Sequence, residues 1–105
     1  RIASVFAGWG IPTAQSIIET RRAAPDAFVI ASGGIRSGVD AAKAIALGAD
    51  AVGIALPLLK PAVRSAEAVV DYLSEVTEQM RLAACCTGSR RLADLRQALR
   101  PAREP

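Results

Sequence analysis

The 105-residue chain is 51 % hydrophobic and 22 % charged, an ordinary globular composition for one domain or part of one and far from the disordered class. Its net charge is a modest +3, only 4 % of it is aromatic and it has no histidine. That excludes a stacking platform for single-stranded nucleic acid, and it removes the commonest general base and the commonest metal ligand.

No apolar run approaches the ~20 residues that span a bilayer. Arg1 stands where Met would open a gene product, and no charged-then-apolar leader follows it. The expectation is a soluble, cytoplasmic protein with no membrane or nucleic-acid partner, its N-terminus either processed or lying in mid-protein. Arg90, Arg91, Arg96, Arg100 and Arg103 place five of thirteen basic residues in the last sixteen positions. They read as a solvated helix face and a loose end rather than a nucleic-acid patch. Cys85 and Cys86 are adjacent, so they cannot frame a disulfide-stapled domain. They are expected as small buried hydrophobes near a helix end.

In chain order, Ile2, Val5, Phe6 and Trp9 recur at helical spacing up to the Gly8-Trp9-Gly10 break. Ile11-Pro12-Thr13 opens a second helix, with Pro12 near its first turn. Ile17 and Ile18 supply its buried face, and Arg21-Arg22 suit the negative end of its dipole. Trp9 is expected to pack under this helix. Pro25-Asp26 closes the element.

Residues 27–32 form a short unbroken apolar run, the signature of a parallel strand buried on both faces. Gly33-Gly34 follows, and Ser37 begins a third helix with Asp40 in its first turn, a weak capping box. Val39, Ala42, Ile45 and Ala46 give it an inner face, and Gly48 ends it in a left-handed conformation. A second buried run, residues 51–55, is turned out by Leu56-Pro57.

A long amphipathic helix is expected from about Ser65 to Cys86, with Ala66, Val69, Val70, Leu73, Val76, Met80 and Ala83 apolar at helical spacing. Thr87-Gly88 stops it. Ser89 then caps a short helix carrying Leu92, Leu95 and Leu99, and a loose tail begins at Pro101.

Strands alternating with helices argue for right-handed βαβ units and a parallel sheet. Two strands apolar on both faces need neighbours. A (β/α)₈ barrel takes about 250 residues, so the fold class is α/β, the chain supplying two strands of an incomplete barrel.

The chemistry concentrates at two strand ends, Ser32-Gly33-Gly34-Ile35-Arg36-Ser37-Gly38 and Gly53-Ile54-Ala55-Leu56. Paired glycines after a strand let backbone N–H groups approach a ligand, and the helix N-terminus beyond adds unpaired donors and partial positive charge. Arg36 can add a charge-assisted contact to phosphate. Ala55 and Leu56 would act through their backbone N–H groups. Gly34 and Leu56 lie one βα unit apart, which suits adjacent strands offering donors to one anion. The competing reading is two tight βα turns that bind nothing.

Residues 30–60, IASGGIRSGVDAAKAIALGADAVGIALPLLK, resemble the closing segment of FMN-dependent barrel enzymes. That class includes α-hydroxy-acid oxidases, the glutamate synthase flavin domain and, for a nucleotide phosphate, inosine monophosphate dehydrogenase. The flanks FAGWGIPTAQSI (residues 6–17) and RLAACCTGSRRLADL (residues 81–95) narrow the resemblance to type 2 isopentenyl-diphosphate isomerase.

The resemblance implies the last two strands and flanking helices of an FMN-linked (β/α)₈ TIM barrel, with residues 1–105 the C-terminal fragment of a single domain. It implies isomerisation of isopentenyl diphosphate to dimethylallyl diphosphate in isoprenoid biosynthesis. The cofactors would be reduced FMN, NADPH to reduce it and Mg²⁺ on the substrate diphosphate, in a parent enzyme that is a homo-oligomer. The FMN phosphate would sit on Gly34, Ile35, Arg36, Ala55 and Leu56.

Gly8 and Ser89 depart from the family pattern, which has Asp and often Cys there. Oxidases would carry Gly-Arg at Ala55-Leu56, which argues mildly against them. The family's catalytic and Mg²⁺-binding residues map to nothing in the chain. Asp40, Asp50, Asp71 and Asp94 are read as structural: Asp40 in a first helical turn, Asp50 at a strand start, and Asp71 and Asp94 on exposed helix faces. Lys43 and Lys60 are read as solvated, and Thr13 as a helix-start residue. An FMN-dependent oxidoreductase and a truncated inactive product remain the alternatives.

Overall fold

The structure, a computed structural model, describes residues 1–98. The expectations for Leu99, for Arg100 and Arg103, and for a tail from Pro101 lie outside the described residues. The elements are α1 (Ile2–Val5), α2 (Thr13–Ala23), β1 (Ile30–Ser32), α3 (Gly38–Leu47), β2 (Ala51–Gly53), a 3₁₀ turn (Leu56–Leu58), α4 (Leu59–Arg64), α5 (Ala66–Cys86), a second 3₁₀ turn (Leu92–Asp94) and α6 (Leu95–Ala98). No helix among the described residues is long and apolar enough to cross a membrane.

β1 and β2 pair in parallel, Ile30 opposite Ala51, Ala31 opposite Val52 and Ser32 opposite Gly53. Both strands are shorter than their apolar runs. Residues 27–29 lead into β1, with Val29 hydrogen-bonded to residue 50, and residues 54–55 already turn toward the 3₁₀ helix. Side chains alternate across a strand, and within this chain helices cover one face only. Ala31 is 3 % exposed, whereas Phe28 is 73 % and Ile30 61 % exposed. Among the described residues the second apolar face is uncovered, as expected of strands that need neighbours beyond this chain.

α3 is the central helix. Ser37 is extended and its hydroxyl accepts the Asp40 N–H at 3.2 Å, satisfying one of the orphan donors of the first turn. Gly48, at φ +128°, ends it. Its buried face is Ala41, Ala42, Ala44 and Ile45, with Ala46 half-buried; Val39, expected inside, is half exposed. Small residues let its neighbours come close. A Cβ built on Gly38 would lie 2.3 Å from the Val76 carbonyl oxygen, so α3 meets the α5 backbone directly there. The core joins Ile17, Ala31, Ile35, the α3 alanines, Ile45, Ala49 and Leu95.

α5 starts as expected, with the Ser65 hydroxyl accepting the Ala68 N–H at 3.0 Å. Val76 is buried and Val69, Tyr72, Gln79, Met80 and Ala83 are half-buried, while Ala66, Val70 and Leu73 face outward. Leu56-Pro57, read from sequence as a turn, opens a 3₁₀ helix, and α4 follows it at Leu59–Arg64. Pro57 and Pro61 fall in first turns, where a missing N–H costs little.

Several local expectations change. The stripe from Ile2 to Trp9 forms only one turn of helix, and among the described residues its side chains stay exposed. Trp9 is 80 % exposed and stacks edge to face with Phe6 at 5.5 Å, instead of packing under α2. Pro12 is the residue before α2, and Ile18 is partly exposed where Ile17 is buried. Cys85 and Cys86 are exposed free thiols rather than buried hydrophobes: the last turn of α5 packs on the core through Ala83 and Ala84 and leaves the two cysteines outside. Ser89 caps nothing. Asp94 takes that role by accepting the Arg90 and Arg91 N–H groups at 3.1 and 3.0 Å, so it is no idle surface carboxylate.

At the start of the sheet, Asp50 does more than begin a strand. Its carboxylate accepts the Val29 N–H at 2.9 Å and pairs with Arg21 at 2.6 Å and Arg96 at 3.1 Å. Arg21 also donates to the carbonyls of Gly48, Pro25 and Ala27. One network thus ties α2, α3, β2 and α6 together at the end of the sheet where the strands begin.

Candidate anion-binding site

The opposite end of the two strands is open. β1 ends at Ser32, and Gly33 and Gly34 follow at φ +100° and +75°. L-residues pay about 1–2 kcal/mol for such backbone, which is why two glycines stand here. Ile35, 7 % exposed, then anchors the loop in the core, and Arg36 emerges to solvent. On the neighbouring strand, Gly53 presents no side chain; a Cβ there would touch Ser32 at 3.4 Å. Ala55 and Leu56 turn the chain into the 3₁₀ helix.

A cavity of about 180 Å³ lies between the two ends, lined by Ser32, the loop Gly33 to Arg36, and Gly53, Ala55, Leu56 and Pro57. All five positions singled out in the sequence, Gly34, Ile35, Arg36, Ala55 and Leu56, line it together. Among the described residues, the N–H groups of Gly34, Ile35, Ala55 and Leu56 make no hydrogen bond to protein. A Cβ on Gly34 would meet no protein atom within 4 Å. The donor set and the open approach fit a phosphate group.

The start of α3 is less generous than its sequence implies. The Arg36 N–H is taken by the Asp40 carboxylate at 3.1 Å, the Gly38 N–H by the Gln79 side-chain oxygen at 2.7 Å and the Asp40 N–H by Ser37. Arg36 is left with its guanidinium to offer an anion. Asp40 is thus structural, but as a brace of the loop rather than only a partner of the helix dipole.

Three residues at the loop were not legible as such. The Thr13 hydroxyl, at the start of α2, donates to the Gly33 carbonyl at 2.9 Å, and Thr13 lines an adjoining cleft of about 300 Å³ between α2 and β1. Tyr72 donates to the Arg36 carbonyl at 2.5 Å, and Gln79 holds Gly38. Each contact spans twenty or more positions in sequence, so no local pattern carries it. Trp9 does not line either cavity. Among the described residues no three His, Cys, Asp or Glu side chains gather as a metal site.

The chain is similar to proteins named isopentenyl-diphosphate delta-isomerase from several organisms. It is 56 % identical to that of Xanthobacter autotrophicus over 91 % of the chain and 28 % of the relative. To that of Stutzerimonas stutzeri it is 58 % identical over 92 % of the chain and 28 % of the relative. To that of Metallosphaera sedula it is 52 % identical over 91 % and 26 %. The chain therefore spans little more than a quarter of the length of the curated relatives it matches. The sequence profile of the FMN-dependent dehydrogenase family matches residues 9–101, nearly the whole chain and both strand ends of the cavity, and the chain belongs to that family.

Proposed function

We propose that this chain is the cofactor-phosphate end of an FMN-dependent isopentenyl-diphosphate isomerase, its two strands being the last two of a (β/α)₈ barrel. The observation that carries the site is the set of four free backbone N–H groups, from Gly34, Ile35, Ala55 and Leu56, around one cavity at adjacent strand ends. The Arg36 guanidinium adds charge at its rim. The name shared by relatives more than half identical to the chain supports the reaction. The exposed Phe28 and Ile30 face supports the barrel, since apolar strand faces of this kind are covered by neighbouring elements.

In this reading residues 33–36 and 55–56 bind and orient the phosphate, and the loop backbone keeps water-exposed side chains out of its way. When bound, the reduced flavin supplies the acid–base chemistry of an allylic rearrangement with no net oxidation. NADPH would keep the flavin reduced, and Mg²⁺, held by residues outside this chain, would offset the charge of the substrate diphosphate. A cytoplasmic homo-oligomer completes the proposal.

The family's dehydrogenase name keeps an oxidoreductase as the second reading; Leu56, where an oxidase would have arginine, disfavours it. The test is an assay of the whole protein with FMN, NADPH and Mg²⁺. Conversion of isopentenyl to dimethylallyl diphosphate, without stoichiometric NADPH consumption, is expected. Flavin reduction by a hydroxy acid, with no isomerisation, would establish the oxidoreductase instead.

A further inference from the structure

The phosphate loop is held from behind by α5. Tyr72, Val76 and Gln79 follow one another at i, i+4 and i+7, so they lie on one face of that helix. Val76 is the buried member, packed where Gly38 meets the α5 backbone. On either side of it the two polar residues reach the loop. Tyr72 donates its hydroxyl to the Arg36 carbonyl, and Gln79 accepts the Gly38 N–H.

Arg36 is consequently fixed at both of its main-chain groups, the N–H by Asp40 and the carbonyl by Tyr72. Both peptide planes flanking its Cα are set, and with them the direction in which the guanidinium stem leaves the chain. Gln79 sets the next residue but one. Neither α5 side chain lines the cavity, so neither touches the anion. Gly38 can only approach Gln79 because it has no side chain: a Cβ there would lie 2.4 Å from the Gln79 Cβ.

We infer that Tyr72 and Gln79 are positioning residues for the cofactor phosphate, pre-setting the Arg36 loop so that its donors need no rearrangement on binding. The inference rests on the phosphate reading of the cavity. Preorganisation raises affinity by removing the ordering cost at the moment of binding. Its signature is selective: the pinned loop matters to a ligand with a phosphate and not to one without.

The experiment measures the affinities of the whole apoprotein for FMN and for riboflavin, which lacks the phosphate, in wild type, Tyr72→Phe, Gln79→Leu and Gly34→Val. Tyr72→Phe and Gln79→Leu are each expected to weaken FMN about three- to tenfold, the range of one hydrogen bond, with riboflavin affinity unchanged. Equal weakening of both ligands would overturn the inference, since general loosening of α5 would do that. An unchanged FMN-to-riboflavin ratio in both α5 variants, with a lowered ratio in Gly34→Val, would also overturn it while leaving the phosphate site in place. An unchanged ratio in Gly34→Val as well would remove the phosphate site and the inference together.

Discussion

Arg21 on α2 and Asp50, just before β2, meet at 2.6 Å across 29 positions of sequence. The same carboxylate takes Arg96 from α6, and both arginines also reach the Gly48 carbonyl. Three helices and a strand are thereby fixed to one another at the end of the sheet remote from the cavity. In barrel-type α/β folds that end serves stability while ligands bind at the strands' C-terminal ends.

The Asp50 carboxyl is held below its ordinary value of 3.8, first by the Val29 N–H bond and then by Arg21. A depressed native pKa contributes stability that is complete above the ordinary value and lost as pH falls through it and below. Asp50→Asn in the whole protein is therefore expected to lower the melting temperature by a few degrees at neutral pH. That gap should hold down to about pH 5 and close under more acid conditions. Thermal melts of both proteins from neutral to acid pH check this, and a gap that stayed constant at pH 3 would contradict it.

Gly34→Val is expected to reduce the flavin that co-purifies with the whole protein by about tenfold or more. The new side chain is strained at φ +75° and grows into space the protein leaves open, where the phosphate is proposed to sit. The flavin absorbance per polypeptide reads it directly. Wild-type flavin content in this variant would take Gly34 out of the site.

Gly38→Ala should cost about 2 kcal/mol or more in urea unfolding, toward the upper part of the range for overpacked cores. The added methyl overlaps backbone atoms of α5, the Val76 oxygen at 2.3 Å and the Met80 nitrogen at 2.8 Å, and backbone cannot turn aside as a side chain can. An unshifted urea midpoint would mean that α3 and α5 do not cross so closely.

The 105-residue polypeptide on its own is expected to self-associate, bind FMN weakly and catalyse nothing. It exposes Ile2, Val5, Phe6, Trp9, Phe28, Ile30, Leu59 and Val63, a large apolar area for a soluble monomer. Light scattering after gel filtration, with flavin absorbance on the same peak, tests all but the last point. A monomer carrying one flavin per chain would contradict it.

Much of the local structure was legible because its causes are local. Ser37 and Ser65 cap the helices their positions announce, Gly48 and Gly88 take positive φ at helix ends, and the glycine pair after the first apolar run makes the turn it implies. The two glycine-marked strand ends stand out in the sequence because each carries its own short pattern, and the five proposed phosphate positions within them follow from the family resemblance. Their lining one cavity needed the parallel register of Ile30 with Ala51, which places the two ends side by side.

What sequence could not carry was decided by contact across distance. Periodicity reports which side chains want a partner and not whether this chain supplies one, so the apolar stripe of α1 and the outer face of β1 stand exposed. The Tyr72 and Gln79 contacts cross 36 and 41 positions, and the Asp50 pair to Arg96 crosses 46. A hydroxyl on a half-buried helix face reads the same in sequence whether it meets water or the Arg36 carbonyl. Only the packing of α5 against α3, at a glycine where no side chain would fit, brings those groups within hydrogen-bonding range.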